Sequence, residues 1–197
     1  DKNFSLVNKY RKKIIIENPN AILIIAQRFQ LHLNETFYEN KNNKIINKDT
    51  GYYYSLNINE HNSNFFEKFI IDLNLLSKDN KIILINPIPE VGFDVRKKLY
   101  LQFPKNKSAS NEILKQNKFL INTPSKNYYE RNLKYFSNLK NLSENIIIVN
   151  FDKYLCNNFL DTKCILHDDN DIFYYDNNHL SQRGSEELTN LILKKIK

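Results

Sequence analysis

Ala21-Ile22-Leu23-Ile24-Ile25-Ala26 is an apolar run of strand length with no polar break. A strand with one wet face alternates apolar and polar residues. An unbroken run predicts a strand buried on both faces, as in a parallel sheet. Lys81 to Asn86 and Ile146-Ile147-Ile148-Val149 repeat the pattern. Around these runs the spacing is helical. Lys9 to Glu17 reads as the end of a helix that Pro19 stops. Phe65 to Leu76 places Phe66, Phe69, Ile70 and Leu73 on one face, and Tyr128 to Leu142 does the same with Leu133, Phe136 and Leu139. Glu186 to Ile196 reads as an amphipathic C-terminal helix. The order α, β, α, β, α, β, α predicts an α/β fold, a parallel sheet with helices on both sides.

Ligands of such sheets bind beyond the C-terminal strand ends. Arg28, the Pro87–Gly92 loop and the residues after Asn150 all leave strands at that edge. Residues 30–62, polar and aromatic with Gly51-Tyr52-Tyr53-Tyr54, read as a long loop, and long loops in compact domains are often functional. Pro87 and Pro89 open a second loop that runs through Gly92 to about Pro104. Ile172–Tyr175 reads as a short extended piece.

Residues 1–197 are the length of one domain, and 41% hydrophobic content supplies a core. No apolar run approaches the roughly 18–20 residues that span a bilayer. The chain opens Asp1-Lys2-Asn3, with no Met and no secretory apolar segment, so it reads as a piece of something longer. The net charge is +7, but the basic residues are scattered and form no block interleaved with aromatics, which argues against nucleic acid as a partner. Cys156 and Cys164 are the only cysteines. Neither has a second Cys at zinc-ligand spacing, His167 is the only nearby His, and no metal is expected. Two close cysteines in an otherwise cysteine-free chain favour one disulfide over two free thiols, and with it an oxidising compartment.

The chemistry-bearing stretch is Tyr175-Asp176-Asn177-Asn178-His179-Leu180-Ser181-Gln182-Arg183-Gly184. Asp and His three apart can share one turn. A hydrolytic His needs a carboxylate on its far ring nitrogen, to fix the tautomer and to stabilise the imidazolium. Alone the pattern is weak, since a solvated turn in an Asn/Asp-rich loop looks the same.

Four segments together resemble the SGNH hydrolase-like domain fused to membrane acyltransferases of the acyltransferase-3 type. Pro19 to Phe29 is similar to that family's Pro, buried strand and Ala-Ala-Arg-Trp-like end. Ile85-Asn86-Pro87-Ile88-Pro89-Glu90-Val91-Gly92 is similar to its strand and Pro-x-Pro-Glu turn. The spaced pair Cys156 and Cys164 is the third segment. Asp176-Asn177-Asn178-His179-Leu180-Ser181 with Gly184 resembles the Asp-x-x-His-Leu-Ser-x-x-Gly block, the most specific of the four.

The resemblance implies a three-layer α/β/α fold of SGNH/flavodoxin-like type. It further implies Asp176 and His179 as catalytic residues, Arg28 as a donor to an oxyanion or an anionic substrate group, and no cofactor. Arg28 reads equally as a structural ion pair at a strand end. The implied partners are a fused or associated integral-membrane acyltransferase domain and a glycan acceptor. The implied place is periplasmic or extracytoplasmic, attached to the inner membrane through an N-terminal region. The implied reaction moves an acyl group, acetyl in the first instance, to a cell-surface glycan hydroxyl. One departure stands out: the family's nucleophile lies in an upstream Gly-Asp-Ser motif, and this sequence has none. The expectation is a single domain over 1–197 whose first strand and nucleophilic Ser lie outside these residues. Ser5, the only Ser before Arg28, reads as a helix N-cap. Two rival readings use the same residues: a free-standing carbohydrate esterase, and a non-catalytic glycan-binding module.

Overall fold

Helix α1 (Lys2–Glu17) ends two residues before Pro19, which has no N–H to continue it. Asn20, at φ 64°, then turns the chain into strand β1 (Ile22–Ile25). The computed structural model describes residues 2–29, 65–102, 114, 115, 119 and 121–196. In chain order there follow α2 (Phe65–Leu76), β2 (Lys81–Ile85), α3 (Val95–Gln102), β3 (Asn122–Pro124), α4 (Ser125–Arg131) and α5 (Leu133–Leu139). Then come β4 (Ile146–Val149), α6 (Phe151–Leu155), β5 (Lys163–Ile165) and α7 (Gln182–Ile196).

The three apolar runs form one parallel sheet in the order β1-β2-β4, with Ile25 opposite Leu84 and Ile85 opposite Val149. Strand pleating sends alternate residues of β2 to opposite faces. Ile82 and Leu84 meet Phe66, Ile70 and Leu73 of α2 and Tyr135 of α5. Ile83 and Ile85 meet Ile192 of α7. Helices on both sides of a parallel sheet give the three-layer SGNH/flavodoxin-like arrangement. A third cluster lies beyond the C-terminal strand ends, where β3 and β5 form a small antiparallel sheet. There Cys156 is disulfide-bonded to Cys164.

Several expectations change. β1 is not buried on both faces: Ile22 and Ile24 are 48% and 52% exposed, while Leu23 and Ile25 pack against the α2 core. Among the described residues β1 pairs only with β2, so the strand has one open edge. Apolar composition made it a strand, but the neighbours decide its burial.

The loop expected from Pro87 to Pro104 contains α3. Asp94 caps it, its carboxylate accepting the Lys97 N–H at 2.8 Å. The single helix expected over Tyr128–Leu142 is two, broken at Asn132. The Asn132 side chain donates to the Tyr128 carbonyl at 2.8 Å, and its backbone sits at φ −104°, ψ 10°. Such side-chain bonds to the backbone compete with the helix ladder. The break sends Leu133 to solvent and Tyr135 into the core. Ser5 is not an N-cap, because α1 begins at Lys2. The 30–62 loop, with Gly51-Tyr52-Tyr53-Tyr54, lies outside the described residues.

Candidate functional site

The loop after β2 is held from three directions. Pro87 and Pro89 have no N–H, but their carbonyls accept the buried hydroxyls of Tyr128 at 2.9 Å and Tyr174 at 2.8 Å. Asn86 closes the base of the loop. Its backbone N–H donates to Val149 and its amide to Asn150 at 2.8 Å, while Tyr135 donates to the amide oxygen. Burial raises both Tyr128 and Tyr135 well above the ordinary phenol range, so both stay neutral donors.

This loop delivers Glu90, whose side chain is 6% exposed, to the strand ends. Its Oε1 accepts Arg28 Nη2 at 2.6 Å and its Oε2 accepts Arg131 Nε. Arg28 is aimed there because the next residue, Phe29, is fully buried against Phe66, Phe69 and Tyr135. One carboxylate thus bridges two guanidinium groups at the sheet edge. Asp152, buried close by, accepts from the Asn86 amide at 3.4 Å. Burial raises its carboxyl above the usual range, against the bond from Asn86.

The Asp176–His179 turn docks on the same loop: the Val91 N–H donates to the Asn177 carbonyl at 2.9 Å. Asp176 Oδ1 accepts the backbone N–H groups of Asn178 and His179, each at 2.8 Å. Asp176 Oδ2 takes His179 Nδ1 at 2.7 Å. Partial burial would raise this carboxyl, but the two N–H groups and the imidazole outweigh it and hold Asp176 below the ordinary carboxylate range. An ionised acceptor puts the proton on Nδ1, leaving Nε2 with its lone pair free to act as a base. The His179 side chain is 71% exposed.

The rest of the motif is architectural. Ser181 caps α7: its Oγ accepts the Gly184 N–H at 3.1 Å while donating to the Ile172 carbonyl. Gly184 packs on the chain itself, and a Cβ there would overlap the Phe173 carbonyl oxygen. Tyr174 pairs with Leu180, and the Tyr175 N–H donates to the His179 carbonyl at 2.8 Å, closing the turn.

Thus Arg28, Asp176 and His179 belong to segments that meet around the Pro87–Val95 loop. Cys156 and Cys164 lie in the neighbouring small-sheet region. Among the described residues no Ser hydroxyl bonds to His179. His167 is fully buried, its Nε2 accepting the Ile121 N–H at 3.1 Å and its Nδ1 donating to the Asp168 carbonyl at 2.8 Å, so both nitrogens are committed to backbone.

Arg131, Glu90 and Arg96 had no assigned role in the sequence. Arg131 was hidden by the merged helix, and Glu90 stood only as a motif letter. Arg96, whose guanidinium lies 3.6 Å over the Tyr175 ring, fell in the supposed loop. The Asp94 cap was the signal that could have found α3.

The family model of the SGNH domain (fused to AT3 domains) matches residues 2–194. No curated protein and no solved structure matches the chain. With the fold and nearly the whole length in agreement, the chain belongs to the family of SGNH domains fused to AT3 domains, hydrolase-like domains associated with acyltransferases.

Proposed function

We propose that this chain is the extracytoplasmic domain of an O-acyltransferase that moves an acyl group, acetyl in the first instance, onto a hydroxyl of a cell-surface glycan. The observation that carries the reading is the Asp176–His179 pair, 2.7 Å apart at the C-terminal edge of a parallel sheet, with Nε2 open.

The reaction has two halves. A Ser hydroxyl gives its proton to His179 Nε2 as its oxygen attacks the acyl carbonyl. The tetrahedral oxyanion collapses, the acyl–Ser ester forms, and the leaving group departs with the proton from Nε2. A glycan hydroxyl then gives its proton to Nε2 and attacks the ester, and Ser leaves reprotonated. Asp176 orients the ring and stabilises the imidazolium in both halves. Arg28 is the candidate donor to the oxyanion or to an anionic group of a substrate.

The Ser comes from outside these 197 residues, on a strand that pairs with the open edge of β1. The end position of β1, which among the described residues pairs only with β2, supports this placement. The acyl donor reaches the site through the fused or associated integral-membrane domain. The disulfide supports a periplasmic or extracytoplasmic setting.

The test is His179→Ala in the full-length protein, with glycan O-acylation read by mass spectrometry of the isolated polysaccharide. Loss of at least 10²–10⁴-fold in rate is expected for removal of the base. Acylation at the wild-type rate would overturn the catalytic role. Release of free acid with no glycan ester in the wild type would make it an esterase instead.

A further inference from the structure

We propose that Arg96 is a positioning residue for the Asp176–His179 pair, acting through the ring of Tyr175. The inference deepens the proposed function and rests on it for the reaction that the pair serves. The pair makes its own internal geometry, since Asp176 takes the backbone N–H groups of Asn178 and His179 and the imidazole, all inside one turn. Nothing in those bonds fixes where the turn stands relative to the strand ends. A base must stand within hydrogen-bond reach of the hydroxyl it serves. Placement has to come from outside the turn.

It comes from the segment that leads into α3. Residues 91–96 run against residues 177–175 in opposite order. The Val91 N–H donates to the Asn177 carbonyl at 2.9 Å, the Val95 N–H donates to the Asp176 carbonyl at 3.5 Å, and the Arg96 guanidinium lies 3.6 Å over the Tyr175 ring. That segment is itself fixed. Val91, Phe93 and Val95 are buried in the cluster that also holds Phe173 and Tyr174. Asp94 caps α3 through the Lys97 N–H at 2.8 Å, so the helical turn that projects Arg96 is tied at its start.

The three contacts are unequal. N–H···O bonds cluster near 2.9–3.0 Å and weaken with length. Val91 therefore makes a full bond and Val95 a marginal one, so the far end of the row leans on Arg96. The chain there is held from two sides. Tyr174 is fully buried and donates its hydroxyl to the Pro89 carbonyl at 2.8 Å, while Tyr175 is 54% exposed and meets Arg96. From Tyr175 the constraint passes straight to the histidine, because the Tyr175 N–H donates to the His179 carbonyl at 2.8 Å.

Magnitude decides what such a contact can do. Among the described residues Arg96 forms no ion pair, and the Tyr175 ring is its partner. A cation over an exposed aromatic face shifts an equilibrium by a factor of about two to five. That is too little to hold a fold together. It is enough to set how often a turn at the surface stands in register with the strand ends. The effect belongs to turnover, because Arg96 acts on the base and not on the acceptor.

The experiment is a double-mutant cycle in the full-length protein. Arg96→Ala and Tyr175→Leu should each lower kcat for acyl transfer about two- to fivefold, the size of the lost contact, with KM for the acceptor and the melting temperature unchanged. The double variant should fall no further than either single one. Tyr175→Phe keeps the ring face and should transfer as wild type does. A second readout needs no acyl transfer. The Tyr175 amide, which donates to His179, should exchange its hydrogen about two to five times faster in Arg96→Ala. That exchange result in a protein that transfers no acyl group supports the positioning and removes the transferase reading. A raised KM in Arg96→Ala with kcat unchanged would assign the guanidinium to substrate binding and overturn the inference. So would additive losses in the double variant, wild-type turnover in Tyr175→Leu, or a Tyr175 amide indifferent to Arg96.

Discussion

Two carboxylates stand in touching loops at one sheet edge, and they are built for opposite ends. Glu90 is 6% exposed at its side chain and sits between two guanidinium groups that stay charged at any relevant pH. Asp176 is 30% exposed and sits between two backbone N–H groups and an imidazole that is itself 71% exposed. Both use both oxygens. The difference is the partner. Permanent cations around a buried carboxylate make a clamp between Arg28 after β1, the loop after β2, and Arg131 on α4. A titratable partner with one open nitrogen makes a base.

One substitution, carboxyl to amide, separates the two. Asp176→Asn retains an oxygen for the Asn178 and His179 N–H groups, but its NH₂ faces Nδ1. That favours the tautomer with the proton on Nε2, which is no base. Acyl transfer in the full-length protein should fall by about 10⁴-fold, the scale known for this change in a Ser-His-Asp enzyme. The melting temperature should stay close to wild type. A fall of less than about tenfold would break the comparison at its functional side.

Glu90→Gln should do the reverse in kind. It leaves two guanidinium groups around one neutral amide, with an N–H of the amide facing an N–H of an arginine. Breaking a buried pair in this way costs about 3–5 kcal/mol. Chemical denaturation should read that loss directly. A change within about 0.5 kcal/mol, the range of ordinary surface substitutions, would show the clamp to be ornamental.

The sequence made these elements unequally legible. β2 and β4 were plain because their runs are short, apolar and covered on both faces. β1 has the same composition, yet Ile22 and Ile24 are half exposed. Hydrophobic pattern reports what a strand is made of and not what lies beside it. The Asp-x-x-His turn was legible because the contacts of the Asp176 carboxylate are local: it reaches residues two and three ahead of it. Ser181 and Gly184 follow the same logic. Glu90, Arg28 and Arg131 are 62 and 41 positions apart in their pairings, and nothing local marks such a contact. The break at Asn132 was lost because a helical period counts faces and does not detect one side chain taking a carbonyl. β3 and β5 are three residues each, below the length at which alternation can be read.

The small-sheet region sharpens the contrast with a covalent clamp in place of an ionic one. Reduction of Cys156–Cys164, eight residues apart, should cost roughly 2–3 kcal/mol on the chain-entropy model. Denaturation in the presence and absence of reductant reads it. The Asp176–His179 bond does not depend on this loop, so any remaining acyl transfer in the full-length reduced protein should retain its wild-type pH dependence. A changed pH profile would tie the two regions together.

The smallest expected effect is on acid stability, and it comes from a histidine that plays no part in the proposed chemistry. His167 is fully buried, and burial holds it below the ordinary imidazole value in spite of the Asp168 carbonyl beside it. The unfolded chain therefore binds a proton at that site at a higher pH than the folded one. Where the unfolded state binds more protons, stability rises with pH, so stability falls as pH drops below about 6.5. One site contributes at most about 1.4 kcal/mol per pH unit. The carboxylates act later. Asp176 and Asp168 are both held below their ordinary range, although burial opposes this in each. Their stabilisation is present above about pH 4 and is lost as pH falls through the lowered folded values. Melting temperature against pH should decline in two stages. His167→Gln retains an acceptor for the Ile121 N–H and removes the titration, so the first stage should flatten while the second stays. If the first stage survives that substitution unchanged, it does not come from His167, and the buried imidazole binds its proton equally in the folded and unfolded states.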